Sequence, residues 1–264
     1  MLLALTTQPQ ESFNFSHKIH EVDSAAAPLS PSLIPRITKM FPTAQLRQAW
    51  GMTEASVCLT LSPPTGPTLH HSCGLVYPSV ELVLVDPDTL ESIPPSGEGE
   101  VWARSPSIVM GYGDAKATKE TFDVLGDGSG WMRTGDAATF EFEHGKHWIV
   151  IKDRLKELIK VSGYQVAPAE LESVLLSHPS VMDAAVVGKP NEKTGELPWG
   201  FVVATGGENL EGELLQWVEE RVARYKRLAG ITFVDKIEKT PSGKILRRVY
   251  RDNFKLEKQM KARL

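Results

Sequence analysis

The stretch "ELIKVSGYQVAPAELE", Glu157–Glu172, changes character midway. A short alternating segment carries Lys160, breaks at Gly163, and turns through Ala167-Pro168 into a helix. Proline suits a first helical turn, where its missing N–H would have had no intrahelical partner. The helix runs through "APAELESVLLSHP" and stops at Pro179. "VMDAAVVG" and "WGFVVAT" then read as strands. "NLEGELLQWVEERVARYK" is an amphipathic helix with Leu210, Leu214, Leu215, Val218 and Val222 on one side. "GITFVD" is a strand, and "GKILRRVYRDNFKLEKQMKARL" a final helix. Strands alternating with helices predict a compact α+β domain. Its boundary is placed at Lys156, dividing the chain into 1–155 and 156–264.

The residues before that boundary read differently. "PLSPSLIPRITKMF" (28–41) predicts a short helix with Ile34, Ile37, Met40 and Phe41 on one face. "AQLRQAW" is a short strand, and "GMTEAS" a loop leaving it. "SVELVLVD" and "GEVWARS" are strands joined by the turn-rich "PDTLESIPPSG". "TKETF" is a helical turn, and "WMRTGDAATFEFEHGKHWIVIKDR" gives two strands around an "HG" turn. Residues 73–155 are therefore expected to form a small antiparallel β unit.

Composition narrows the function. The formal net charge of −4 over 264 residues carries no nucleic-acid signature. Two cysteines provide no disulfide framework, which points to a reducing compartment. No stretch reaches the roughly 20 apolar residues of a membrane-spanning helix. "MLLALTTQPQ" is too short for a signal-peptide core. His70, His71 and Cys73 lie close in sequence, but no second cluster at zinc-like spacing accompanies them. "GDGSG" (126–130) lacks the flanking pattern of a phosphate loop and reads as a plain loop.

Singly, the remaining motifs are weak. "GMTE" suits a capped turn, "RTGD" any strand-to-turn link, and "PSGK" a solvated turn. Their order is more informative. "SAAAPLS" (24–30), "QAWGMTEAS" (48–56), "GWMRTGD" (130–136), "KDRLKELIKVSGYQVAPAELE" (152–172) and "PSGKILRR" (241–248) follow one another in one chain. This order resembles the adenylate-forming (AMP-binding) superfamily, and within it acid–CoA ligases of the 4-coumarate–CoA ligase and acyl-CoA synthetase type. The Ser/Thr/Gly-rich phosphate loop that precedes these motifs in the family is not in this sequence. The resemblance therefore implies the C-terminal half of such an enzyme. That half would hold the end of the large N-terminal domain with its antiparallel β unit, then a mobile α+β C-terminal domain.

The resemblance also implies a reaction and roles. A carboxylic acid is activated by ATP to an acyl-adenylate, and the acyl group passes to coenzyme A, leaving AMP. Gln48, Ala49 and Trp50 would form the floor under adenine, with the alternative that Trp50 is a core aromatic. Thr53 would reach the α-phosphate, and Glu54 would bind Mg²⁺, an ion that takes one or two carboxylates plus phosphates. Asp136 would accept the ribose hydroxyls, and Arg154 would offer a charged fork to ribose and phosphate oxygens. Lys156 would be the hinge of the mobile domain. Lys244 would serve adenylation. After rotation, Lys160 and Gln165 would contact the acyl-adenylate, with Ser162 and Gly163 beside coenzyme A. Ala26 would lie against the acyl-adenylate.

Three positions depart from the family pattern. Ala25 and Ala49 stand where glycine is usual, and Ser162 where plant members often carry lysine. Two other readings compete with the ligase: a non-catalytic remnant or interaction module, and an adenylation domain or luciferase-like enzyme with another acceptor. From Lys244 onward eight Lys/Arg stand against two acidic residues. The final Ala262-Arg263-Leu264 resembles a peroxisomal address read by an import receptor, the alternative being a cytoplasmic protein.

Overall fold

The computed structural model describes residues 18–26, 29, 33–205, 210–241 and 243–261, the side chains of 255–261 excepted. "MLLALTT", Ser242 and Ala262-Arg263-Leu264 lie outside the described residues. The chain divides into two compact units, Met1–Leu155 and Lys156–Leu264. Among the described residues, no helix is long and apolar enough to cross a membrane.

In the first unit, β1 (Glu21–Ser24) runs parallel to β2 (Gln45–Trp50), and α1 (Leu33–Met40) lies between them in sequence. Ile37 is the residue α1 buries. β3 (Thr60–Leu61) and β4 (Leu75–Val76) complete a four-stranded sheet in the order β1-β2-β3-β4. The expected antiparallel unit is a second, five-stranded sheet. It is built from β5 (Glu81–Val85), β6 (Ser92–Ile93), β7 (Glu98–Arg104), β8 (Met132–Glu143) and β9 (Lys146–Arg154), ordered β6-β5-β7-β8-β9. The β8–β9 turn passes through His144 and Gly145 at φ 53° and 73°, the positive values that a two-residue hairpin turn of matching twist requires. Trp50, Leu59, Leu84, Val101, Met132 and Ile149 share one core. The turn expected at "TKETF" is a longer helix, α2 (Ala115–Phe122). It starts earlier because the Asp114 carboxylate accepts the Ala117 N–H at its N-terminus.

The second unit comprises β10 (Ile159–Val161), β11 (Tyr164–Val166), α3 (Pro168–Leu176), β12 (Val181–Asn191), β13 (Gly195–Ala204), α4 (Leu210–Glu219), β14 (Ile231–Phe233) and α5 (Arg247–Lys261). Its sheet is ordered β11-β10-β13-β12, with β14 parallel against β13. The run "AAVV" in β12 explains the layering. Alternate side chains of a strand point to opposite faces. Ala184 and Val186 join Leu171, Leu175, Leu214 and Val218, whereas Ala185 and Val187 join Phe201, Tyr250 and Phe254. Helices cover both faces, so the strand is apolar throughout its middle. One expectation fails here: the helix predicted to continue through Lys226 ends at Glu219. Arg221 folds back to donate from Nη1 to the Trp217 carbonyl, and Val222 packs against the same core from beyond the helix.

β12 is an edge strand, so its outward N–H groups need partners outside the ladder. The Glu172 carboxylate of α3 supplies one, accepting the Val186 N–H at 2.9 Å. Arg247, at the start of α5, donates to the same carboxylate at 2.7 and 3.0 Å. Glu172 is 6% exposed, so removing it leaves a guanidinium short of its main counter-charge. Glu172→Ala is expected to cost about 3 kcal/mol in the unfolding of the second unit, followed by urea denaturation. A loss below about 0.5 kcal/mol would show the pair to be dispensable.

Candidate functional site

In the first unit the site begins at Gly51. The "GMTE" loop folds back so closely that a Cβ at Gly51 would stand 1.7 Å from the Val57 carbonyl oxygen. Only glycine fits, and the loop then forms a 3-10 turn over Thr53–Ala55. Thr53 is exposed at its start. Glu54 is half-buried and accepts a 2.7 Å hydrogen bond from the Tyr112 hydroxyl. Burial, and then the Glu54 carboxylate, raise the Tyr112 phenol above its ordinary value, so it stays a neutral donor near neutral pH.

Asp136 lies inside β8, where the expected "RTGD" strand-to-turn link is instead a bulge with Gly135 at φ 72°, and it is 5% exposed. Its Oδ2 accepts the Trp50 indole N–H at 2.8 Å, and its Oδ1 lies 3.0 Å from Arg154 Nε. A buried carboxylate without such partners would be costly. Trp50 is a core residue at 9% exposure, so its part in this cluster runs through Asp136. The Arg154 side chain is 56% exposed beyond its contact. Gln48 is also buried, with its backbone bonded to Ser62 and its side-chain amide donating to the His70 carbonyl. Ala49 pairs with Leu61 across the β2–β3 ladder.

The β8 bulge that presents Asp136 depends on Glu100, which sequence reasoning missed. Glu100 is 1% exposed. Its carboxylate accepts from Arg133 at 2.6 Å, from Trp102 Nε1 at 3.1 Å and from the Gly135 N–H at 3.1 Å. Thr134 Oγ1 donates to the Val101 carbonyl and accepts the Asp136 N–H. The available signal was an acid inside the otherwise apolar "GEVWA". Such a residue needs a partner, and "WMRTGD" contains one in Arg133.

His70, His71 and Cys73 do not converge. His71 Nε2 faces Glu141 at 2.7 Å, and burial pushes the Cys73 thiol up to about 11. Among the described residues, no group of three or more His, Cys, Asp or Glu is placed to hold a metal ion. Ala26 adopts φ 73°, a left-handed conformation that costs an L-residue about 1–2 kcal/mol, so the strain falls one residue after Ala25.

In the second unit, the opening stretch is a hairpin. Lys160 and Gln165 face each other across β10 and β11, on one face of the ribbon. The turn between them is Ser162-Gly163 at φ 50° and 88°. Gly163 therefore answers a backbone requirement, and a Cβ there would meet nothing within 4 Å. The Ser162 N–H donates to the Thr194 carbonyl and the Lys160 N–H to Glu196, anchoring the first strand and the turn of the hairpin. Tyr164 stacks on Tyr225 with ring centroids 4.4 Å apart.

Lys244 sits on a second tight turn. Thr240 donates its N–H to the Lys244 carbonyl at 2.8 Å, Gly243 donates to Thr240, and Thr240 Oγ1 accepts the Lys244 N–H. Nearby Lys239 pairs with Asp183 at 2.6 Å. By contrast, the ammonium groups of Lys160 and Lys244 make no hydrogen bond or ion pair among the described residues. Lys156 is exposed and is the first residue of its unit. The first unit thus gathers Trp50, Asp136 and Arg154, with Glu54 held separately by Tyr112. The second carries Lys160 on the strand beside one glycine turn and Lys244 beside another, neither ammonium paired among the described residues.

Glu100→Gln is expected to weaken the first unit by about 2 kcal/mol in urea unfolding, because a charge-assisted network loses its anion. A stability equal to that of the wild type would contradict the role given to Glu100.

Comparison with known proteins identifies the family. Residues 1–113 match the AMP-binding enzyme family, and residues 170–244 match the AMP-binding enzyme C-terminal domain. The chain is 45% identical to 4-coumarate–CoA ligase-like 9 of Oryza sativa subsp. japonica, over 96% of this chain and 46% of that protein. It is 41% identical to 4-coumarate–CoA ligase 1 of Petroselinum crispum, over 94% of this chain and 45% of that one. It therefore spans under half the length of these relatives. The solved anthranilate CoA ligase AuaEII, in complex with anthranoyl-AMP, superposes with TM-score 0.83 at 27% identity, covering 98% of this chain and 48% of that one. ATP-bound MatB from Rhodopseudomonas palustris gives the same TM-score at 26% identity, covering 96% and 49%. The mixed α+β fold thus resembles the C-terminal half of adenylate-forming enzymes, and the chain belongs to the AMP-binding enzyme family, with 4-coumarate–CoA ligase-like proteins among its relatives.

Proposed function

We propose that this chain carries the C-terminal machinery of an AMP-forming acid–CoA ligase. The observation that carries the reading is the division of labour between the units. One holds an oriented, buried carboxylate at Asp136, and the other presents the ammonium groups of Lys160 and Lys244, unpaired among the described residues, beside separate glycine turns.

In the first half-reaction, a carboxylate oxygen of the acid bonds to the α-phosphorus of ATP, and pyrophosphate leaves. Asp136 accepts the ribose hydroxyls, while Arg154 and Thr53 offer donors to ribose and phosphate oxygens. Lys244 stabilises the charge that develops between the carboxylate and the α-phosphate. Glu54 fits a Mg²⁺ held mainly by phosphates: it is a single carboxylate, oriented by Tyr112, with no further acidic ligand required. Bound there, the ion would neutralise phosphate charge.

In the second half-reaction, the thiolate of coenzyme A attacks the acyl carbon, and AMP leaves with the bonding electrons. Lys160 and Gln165 donate to the acyl-adenylate, and the bare Ser162-Gly163 turn lets the thiol arm pass. The two steps ask for different cations at one reacting centre. Rotation at Lys156 satisfies both without rebuilding either turn.

The test uses a chimera in which this chain replaces the matching residues of 4-coumarate–CoA ligase 1, assayed with 4-coumarate. Lys244→Ala should slow acyl-adenylate formation by about 10²–10³-fold while thioester formation from supplied acyl-adenylate survives. Lys160→Ala should do the reverse. Equal losses in both steps for either variant would remove the division of labour.

A further inference from the structure

The segment where the chain passes from one unit to the other is anchored on both sides. Upstream, the Leu155 N–H donates to the Gly135 carbonyl at 2.9 Å, within the first unit. Downstream, Arg251 of α5 donates from Nη1 to the Lys156 carbonyl at 3.2 Å and from Nη2 to the Glu157 carbonyl at 3.1 Å. Arg251 Nη2 also faces Glu157 Oε2 at 3.2 Å. That oxygen is buried and has no hydrogen bond of its own among the described residues. Arg247, one helical turn earlier, adds its charge 4.0 Å from the same oxygen and is itself bonded to Glu172.

A planar guanidinium bound to two successive carbonyls fixes two successive peptide planes. The backbone torsions of Glu157 are then set relative to α5. The first torsions left free are those of Lys156 and, before the Gly135 anchor takes hold, Leu155. The helix that carries Arg251 also begins just after the Lys244 turn. We infer that Arg251 is a positioning residue that confines the hinge to Leu155–Lys156 and ties it rigidly to the turn bearing Lys244. This rests on the ligase reading, because only a domain that rotates needs a bounded hinge. Its role differs from those of the lysines: it touches no substrate and acts through the backbone. A clamp of this kind converts a flexible linker into a pivot, so that rotation carries Lys244 away along a defined arc and does not let it wander.

Limited trypsin digestion of the 264-residue chain reads the clamp without any reaction. Arg251→Ala should raise cleavage after Arg154 and Lys156 by at least about tenfold, while cleavage after Lys193 stays at the wild-type rate. Arg251→Lys keeps the charge but presents a point donor that cannot span two carbonyls, so it should restore protection only in part. Unchanged cleavage after Lys156, or a rise of equal size at Lys193, would overturn the clamp. The chimeric ligase then tests positioning. Arg251→Ala should increase the fraction of acyl-adenylate released before thioester transfer, whereas a merely structural role would lower both half-reactions together. That second outcome would overturn the positioning role even with the clamp intact. A wild-type chimera that forms no acyl-adenylate would count against the ligase reading alone, since the digestion result stands independently.

Discussion

The carboxylate of Asp136 joins two sheets. Trp50, which holds one of its oxygens, ends β2 in the first sheet, and Arg154, which holds the other, ends β9 in the second. A charge this deeply buried is tolerable only when its partners are fixed. Much of the first unit serves that requirement. The β8–β9 register places Asp136 opposite Arg154, and Glu100 locks the bulge before Asp136 through Arg133, Trp102 and the Gly135 N–H. The loop after Trp50 closes onto Gly51, which brings Thr53 and Glu54 to the end of the same strand. A preorganised acceptor of this kind can take hydrogen bonds from a ligand without reorganising at the moment of binding.

The second unit solves a different problem. Its cations must be available without being mobile. Lys160 lies on the strand entering one turn and Lys244 closes another, both backbones are hydrogen-bonded locally, and both turns contain a glycine at positive φ, Gly163 and Gly243. Other basic side chains in the unit are engaged structurally: Lys239 with Asp183, Lys226 with Glu170, and Arg247 with Glu172. Arg247 and Arg251 connect this scaffold to the segment that begins the unit. The same helix that follows the Lys244 turn therefore also holds the start of the domain.

Much of this was legible in the sequence where the signal is local. The strand "QLRQAW", the hairpin around "HG" and the proline-led helix after Ala167 follow from alternation, turn residues and helix-start chemistry. Elements were misjudged where one distant or capping contact decides them. α2 begins early because of Asp114, and α4 ends early although its apolar spacing continues to Val222. The site residues divide in the same way. Thr53, Asp136, Lys160 and Lys244 lie in motifs. Glu100, Tyr112 and Arg251 owe their roles to partners 33, 58 and 94 residues away, and no short window can show that pairing. Trp50 was visible in a motif, but its burial and its bond to Asp136 depend on the packing of two sheets.

The most direct measurement is the response of the Trp50 indole N–H to nucleotide. The indole resonance, assigned by comparison with Trp50→Phe, reports the Asp136 carboxylate through a 2.8 Å hydrogen bond. Titration with AMP should shift it progressively, because the ribose hydroxyls share the acceptor, and adenine alone should leave it in place. An indole resonance that ignores millimolar AMP, or that moves equally with adenine, would contradict the assignment of Asp136 as the ribose acceptor.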